Sequence, residues 1–342
     1  MSSLKVIQDS KNPTQIRSIL AVAAGKGGVG KSTVAVNLAL ALKLQGFKVG
    51  LLDADIYGPS LEQMLPKGME PVDDLENPEK LLPALTFGMP FISVAHFKKK
   101  ASIVRAPIAN QIIEQFLTIV QWGELDYLII DFPPGTGDIQ LTLMQKAKIA
   151  AAIMVTTPQV VATLDVSKAI QLFQKMEIPI LGVVENMSYF LDPETQKKFF
   201  PFSSGGGQSL AKDFEIPFLG EIPIDSKISI AGDRGDSSAV GVFKHLCERV
   251  LQEVSHLSKE DFQVREKGPH HLEIFIEDSW HTLSLHDIQK QCPCARCQSE
   301  KKCDPGVSLL EFSPVGRYAI RLIFSSGCSQ GIYPYSQLKL LV

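Results

Sequence analysis

Eight consecutive residues, Gly25-Lys26-Gly27-Gly28-Val29-Gly30-Lys31-Ser32, fit the pattern G-x-x-x-x-G-K-S/T. Each residue type has a physical reason to be there. Glycines let the backbone curl until its N–H groups converge on one point, and a following helix adds the positive potential of its N-terminus. A lysine after the last glycine neutralises β- and γ-phosphate charge, and the next hydroxyl ligates Mg²⁺. The stretch from Gly25 to Thr33 therefore reads as a loop for MgATP, with Lys31 on the phosphates and Ser32 on the metal. Two apolar runs end on carboxylate: Leu51-Leu52-Asp53-Ala54-Asp55 and Leu128-Ile129-Ile130-Asp131. A strand-end aspartate often does no more than cap the next helix. Beside an intact phosphate loop, Asp131 becomes the carboxylate on the Mg²⁺ side, and Asp55 a group able to orient the attacking water.

A second cluster is built from sulfur. Of the six cysteines, four lie between Cys292 and Cys303, and Cys292, Cys294 and Cys297 fall within six residues. That density in a reducing compartment points to metal rather than disulfides. A structural zinc site wants four ligands, so the trio needs one more. Cys303 is near in sequence, beside Lys301 and Lys302, whereas Cys328 would bring in a distant segment and close a longer loop.

Positioning these residues requires a particular scaffold. Residues 18–24, 48–53, 127–131, 151–156 and 180–185 are nearly all apolar, the pattern of strands covered on both faces. Helical periodicities over 32–45, 109–122 and 165–176 alternate with them. A strand at 217–220 and a closing helix at 240–254 complete a doubly wound α/β domain with a mostly parallel sheet, whose ligands bind beyond the carboxyl ends of the strands. The expected division is an ATPase domain over 1–255, a charged linker over 256–268 and a small α+β metal-binding domain over 269–342. Strands at 272–275 and 317–324 belong to the last.

The motifs resemble a known family. Lys26 gives the GKGGVGKST form shared by MinD-like ATPases, and LLDADIYGPS (51–60), DFPPGTGD (131–138) and VVENMSYF (183–190) resemble Mrp/ApbC iron–sulfur cluster carriers. The resemblance covers about residues 16 to 250. It implies a homodimer in which Lys26 of each subunit reaches the phosphates held by the other, with Asp55 serving hydrolysis, Asp131 Mg²⁺ and Asn186 the adenine. It also implies iron–sulfur apoproteins or assembly proteins as partners. One departure stands out. Family members follow MSYF with C-x-x-C, which holds a bridging [4Fe–4S] cluster, but Asp192 and Thr195 occupy those two positions here. Neither suits a thiolate-loving cluster. Beyond residue 268, LEIFIEDSWHTLSLHDIQKQCPCARC and GIYPY resemble the small domain that precedes γ-butyrobetaine hydroxylases. There a histidine completes the cysteine trio, and its slot holds Cys328 here. The resemblance thus favours a Cys292–Cys294–Cys297–Cys328 zinc site over an iron–sulfur cluster.

Composition bounds the alternatives. The 342 residues carry a net charge of -3, which gives no electrostatic case for nucleic acid or an anionic membrane. No apolar run approaches the roughly 18 residues of a membrane span, and the first residues lack a signal-peptide core. The expectation is a cytoplasmic ATP-hydrolysing iron–sulfur carrier or assembly factor. The competing readings are a MinD/ParA-like regulatory switch and a metal-dependent scaffold that carries no cluster.

Overall fold

The computed structural model describes residues 16–55, 58–66, 70–77, 79–94, 96, 116–259, 263–276, 279–292, 294, 297, 304–315, 319–328, 331–334, 337–338 and 341–342. The chain separates at Val254 into two compact units.

The first unit is built on strands β1 (Ile16–Ala23), β2 (Val49–Asp53), β3 (Val72–Asp73), β4 (Leu81–Leu82), β5 (Ala84–Thr86), β6 (Met89–Ser93), β7 (Leu125–Asp131), β8 (Ile149–Thr156), β9 (Ile180–Glu185), β10 (Phe190–Leu191), β11 (Lys198–Phe199) and β12 (Phe218–Glu221). Its helices are α1 (Lys31–Leu44), α2 (Leu61–Met64), α3 (Asp138–Lys146), α4 (Val160–Lys175), α5 (Gly206–Asp213), α6 (Ser226–Arg234) and α7 (Lys244–Lys259), the last preceded by a 3₁₀ turn at Val240–Phe243. Eight strands form one sheet in the order β12-β9-β8-β1-β7-β2-β6-β5. All pairings are parallel except β5 with β6. The near-continuous apolar strands are explained by cover on both faces. Ile19, Ala21 and Ala23 of β1 join Leu128, Ile130 and Met154 in a core completed by Val166, Ala169, Ile170 and Phe173 of α4. The alternate residues Leu20, Val22 and Ile129 are equally buried, and α1 covers that face with Val34, Leu38 and Leu42. This is the doubly wound, mostly parallel architecture expected from the sequence.

Several boundaries differ for identifiable reasons. Helix α4 begins at Val160, five residues before the expected 165. Val160, Val161 and Leu164 are exposed, so apolar periodicity misses the first turn even though Gln159 is extended and its carbonyl accepts from Ala162 and Thr163. Strands β5 and β6, which extend the sheet, are short and interrupted by Pro90 and a turn at Phe87-Gly88, both with positive φ. Of the helix expected at 109–122, only 116–122 lie among the described residues; 116–118 are helical, and Val120 bridges to Leu81.

The second unit contains two antiparallel three-stranded sheets, β13 (Gln263–Glu266), β14 (His271–Ile276) and β15 (Ser279–Ser284), then β16 (Leu309–Val315), β17 (Ala319–Phe324) and β18 (Gly331–Pro334), with helix α8 (Leu285–Lys290) after the first. Within 256–268, expected as a linker, α7 continues to Lys259 and Gln263–Glu266 pairs with β14. The charges that made this stretch look like a linker lie on the solvent side of an edge strand. Arg265 and Lys267 each reach Glu273 at 2.6 Å, while Val264 packs on the core.

The parallel sheet depends on that two-sided cover. Phe173 is fully buried and packs its ring 5.5 Å from Phe132. Phe173→Ala should therefore lower the unfolding free energy of the first unit by about 3–5 kcal/mol, read from urea unfolding.

Candidate functional site

The sheet order places the ends of β1, β7 and β2 side by side, with β9 one strand further out beyond β8, and each of the four leads into part of one site. Asp131, at the end of β7, lies level with Val22 of β1 and Asp53 of β2. The loop leaving β1 reaches Gly30 with φ 81°, a left-handed conformation that glycine adopts without strain, and α1 starts at once with Lys31. Gly25 is required for a different reason. A Cβ there would lie 2.1 Å from the Asp165 carbonyl carbon, so the loop rests directly on the backbone of α4.

The charged groups converge on Asp131. Lys31 Nζ lies 2.5 Å from one Asp131 carboxylate oxygen, and Ser32 Oγ donates to the other at 2.6 Å. Lys31 is also 3.9 Å from Asp55 Oδ2. Lys31, Asp55 and Asp131 are all buried. Asp55 does not continue the strand. β2 ends at Asp53, and the Asp55 N–H turns back to donate to Asp53 Oδ1 at 3.1 Å. The Asp55 side chain meanwhile accepts from the Gly58 N–H.

Asn186, just past β9, is buried, and its Nδ2 donates to the Val29 carbonyl at 2.9 Å. A Cβ on Gly30 would lie 2.1 Å from that nitrogen, so loop and asparagine fit only because residue 30 is glycine. Lys26 is half-buried and has no ion-pair partner among the described residues. The loop thus gathers Val29, Gly30, Lys31, Ser32, Asp55, Asp131 and Asn186 in one place and leaves Lys26 apart.

Two carboxylates have structural duties that the sequence did not distinguish. Asp53 is buried and accepts from the Asp55 and Leu61 amides and from Ser93 Oγ at 3.0 Å. Burial, and then the charge of Asp131, lift its pKa to about 7. Burial likewise raises Asp131, against the pull of Lys31 and Ser32. Glu185, at the end of β9, accepts from Ser188 Oγ at 2.6 Å and from the Gly207 N–H in the first turn of α5. What decides the role of Asp53 is the hydroxyl of Ser93, forty residues away.

The second unit assembles the sulfur cluster. Cys292 follows α8, its N–H bonded to the Gln289 carbonyl, and Cys328 sits in the turn after β17. Cys292 Sγ and Cys294 Sγ lie 3.6 and 3.7 Å from Cys328 Sγ. The four sulfurs of Cys292, Cys294, Cys297 and Cys328 are all within 4.8 Å of one another. The Cys297 N–H points at Cys294 Sγ at 3.4 Å. Burial opposes ionisation of Cys294, but that amide and the neighbouring thiols outweigh it and hold the pKa at about 7. Bonds of about 2.3 Å to one tetrahedral ion place sulfurs roughly 3.8 Å apart, so this donor set fits a single thiophilic cation. Cys303, the competitor for the fourth place, lies outside the described residues.

Residues 15–257 match the family described as ParA, NUBPL iron-transfer P-loop NTPase. The chain belongs to that family. Residues 264–339 match the γ-butyrobetaine hydroxylase-like N-terminal domain. Among similar proteins, the chloroplastic Fe-S cluster assembly factor HCF101 of Oryza sativa subsp. japonica is 38% identical over 357 residues, covering 96% of this chain. The chain spans 65% of that relative's length. An iron-sulfur cluster carrier protein of Methanocaldococcus jannaschii is 45% identical over 261 residues, covering 72% of this chain and 89% of the relative. Among solved structures, a nucleotide-binding protein in complex with ADP from Archaeoglobus fulgidus is 40% identical with a TM-score of 0.58, covering 65% of this chain and 88% of that one. MinD of Pyrococcus horikoshii complexed with Mg-ADP, 21% identical with a TM-score of 0.50 over 70% of this chain and 97% of its own, shares the fold. No helix among the described residues is long and apolar enough to cross a membrane.

The raised Asp53 carboxyl makes stability depend on pH. Between its ordinary value of 3.8 and about 7, folded Asp53 keeps a proton that the unfolded chain has lost. Folding therefore weakens as pH rises through this window. In nucleotide- and Mg²⁺-free protein, the stability of wild type relative to Asp53→Asn should fall by roughly 1.4 kcal/mol per pH unit from pH 4 to 7, and level off above it, in denaturant titrations.

Proposed function

We propose that this chain is an ATP-hydrolysing iron–sulfur cluster carrier or assembly factor that works as a homodimer. The observation that carries the reading is the convergence of Lys31, Ser32, Asp55 and Asp131 at the carboxyl ends of adjacent strands, beneath a glycine loop. In this reading Lys31 turns from Asp131 toward the β- and γ-phosphates, and Ser32 and Asp131 hold the Mg²⁺ that accompanies the substrate. Asp55, buried beside Lys31, orients the attacking water. Residues Gly25 to Thr33 offer backbone N–H groups to the phosphates. Asn186, already seated on the loop, meets the adenine. Lys26, without an ion-pair partner among the described residues, acts on the phosphates bound by the partner.

A second observation limits the cargo reading. The Asp192 carboxylate accepts from the Glu194 and Thr195 amides at 2.9 and 2.7 Å and closes the turn between β10 and β11. The two positions where related carriers place cysteines are thus occupied by a self-satisfied turn. A metal-dependent scaffold that carries no cluster is the second reading on that ground. In the other unit, Cys292, Cys294, Cys297 and Cys328 hold one Zn²⁺, because the sulfur spacing suits one ion; a bound zinc would tie the end of α8 to the β17–β18 turn.

Two measurements test these roles. Lys31→Ala should weaken MgATP binding at least about tenfold and abolish turnover, whereas Lys26→Ala should bind within a few-fold of wild type and turn over roughly 100-fold more slowly. Normal turnover in Lys26→Ala would remove the shared-site dimer. For the second unit, metal analysis should give about one zinc per chain, lost together with cooperative unfolding of that unit in Cys328→Ser and kept in Cys303→Ser.

A further inference from the structure

The four-sulfur site has a neighbour that its motif does not announce. Tyr333 lies in β18, fully buried in the core of the second unit, with its ring edge-on to Phe324 at 6.2 Å between centroids. Its hydroxyl is buried and has no hydrogen-bond partner among the described residues. Sulfur lies beside it: a Cβ built on Gly331 would touch both Tyr333 Cζ, which bears the hydroxyl, at 3.3 Å and Cys292 Sγ at 3.2 Å. Gly331 allows the approach, since a Cβ there would lie 2.8 Å from the Tyr333 ring and 3.2 Å from Cys292 Sγ. An orphaned hydroxyl in an apolar core is costly, and phenylalanine would fill the same space without it. A sulfur that keeps negative charge when bound to metal would give that hydroxyl the acceptor it lacks. Outer-shell donors of this kind fix ligand orientation and tune the bound ion.

We propose that Tyr333 is a positioning residue of the metal site, its hydroxyl donating to the Cys292 thiolate and so favouring a cation held by the four sulfurs. The proposal rests on the four-cysteine reading above and adds to it a fifth residue that touches no metal. It also accounts for Gly331, whose missing side chain leaves room for ring and sulfur together.

The test uses the full chain, with Zn²⁺ affinity measured by chelator competition and Co²⁺ as a spectroscopic substitute. Tyr333→Phe should bind Zn²⁺ about tenfold more weakly, within the range that loss of an outer-shell partner produces. Its sulfur-to-cobalt charge-transfer bands should move to lower energy, because a thiolate without its donor is a better electron source. Metal-free Tyr333→Phe should be at least as stable as wild type, since no unpaired polar atom remains. 3-Fluorotyrosine incorporated at position 333, a stronger donor of nearly the same size, should move the bands the opposite way. Unshifted bands in both proteins, or a metal-free destabilisation of Tyr333→Phe with unchanged affinity, would overturn the proposal and make the tyrosine a packing residue. A wild-type chain that gives no four-sulfur cobalt spectrum would fail earlier, by removing the site itself.

Discussion

Lys31 and Asp131 are a hundred residues apart and 2.5 Å from each other in the folded chain. Both are buried, so neither charge is tolerable alone; removing one partner of such a pair typically costs about 3–5 kcal/mol. The pairing exists only because β7 lies beside β1 in register, with Asp131 level with Val22 just before the loop begins. The sheet order, the two-sided apolar cover and the left-handed start of α1 all serve to hold this contact at the end of the strands. A phosphate loop needs a buried positive charge with somewhere to rest, and Asp131 provides it. The same carboxylate accepts from Ser32, so a single side chain organises the lysine and the hydroxyl that the nucleotide and its metal would engage.

Around that pair the site is assembled from contacts with no slack. Gly25 lies against the backbone of α4, and Gly30 against the amide of Asn186. Glu185 ties the end of β9 to Ser188 and to the first turn of α5, immediately before the hairpin formed by β10 and β11. The phosphate loop leaves β1, while Asn186 and the β10–β11 hairpin follow one another after β9, and the hydrogen bond from Asn186 to the Val29 carbonyl joins the two. A change at the loop has a short covalent and hydrogen-bonded path to the hairpin.

The second unit solves a different physical problem. A domain of this size buries a limited core; among the described residues thirteen form it, two of them cysteines of the sulfur cluster and one the tyrosine beside them. Cys292 and Cys328 are therefore core residues as well as candidate ligands, and a cation bound between them would join a helix end to a strand turn. The spacing of the sulfurs suits one ion, and the zinc proposal rests on that fit.

Much of this was legible in the residues. The loop from Gly25 to Ser32, the carboxylates at strand ends and the cysteine trio are local patterns whose chemistry depends on spacing along the chain. The parallel sheet was legible too, because strands covered on both faces must be apolar throughout. The strand Gln263–Glu266 was not legible, because an edge strand whose charges pair with Glu273 has the composition of a loop. Which cysteine completes the cluster, which of Asp53 and Asp55 is spent on structure, and that Tyr333 ends against a sulfur were decided only in three dimensions. Each depends on strand order and register, which bring residues tens of positions apart within 4 Å, and no periodicity in one chain encodes which strand will be its neighbour.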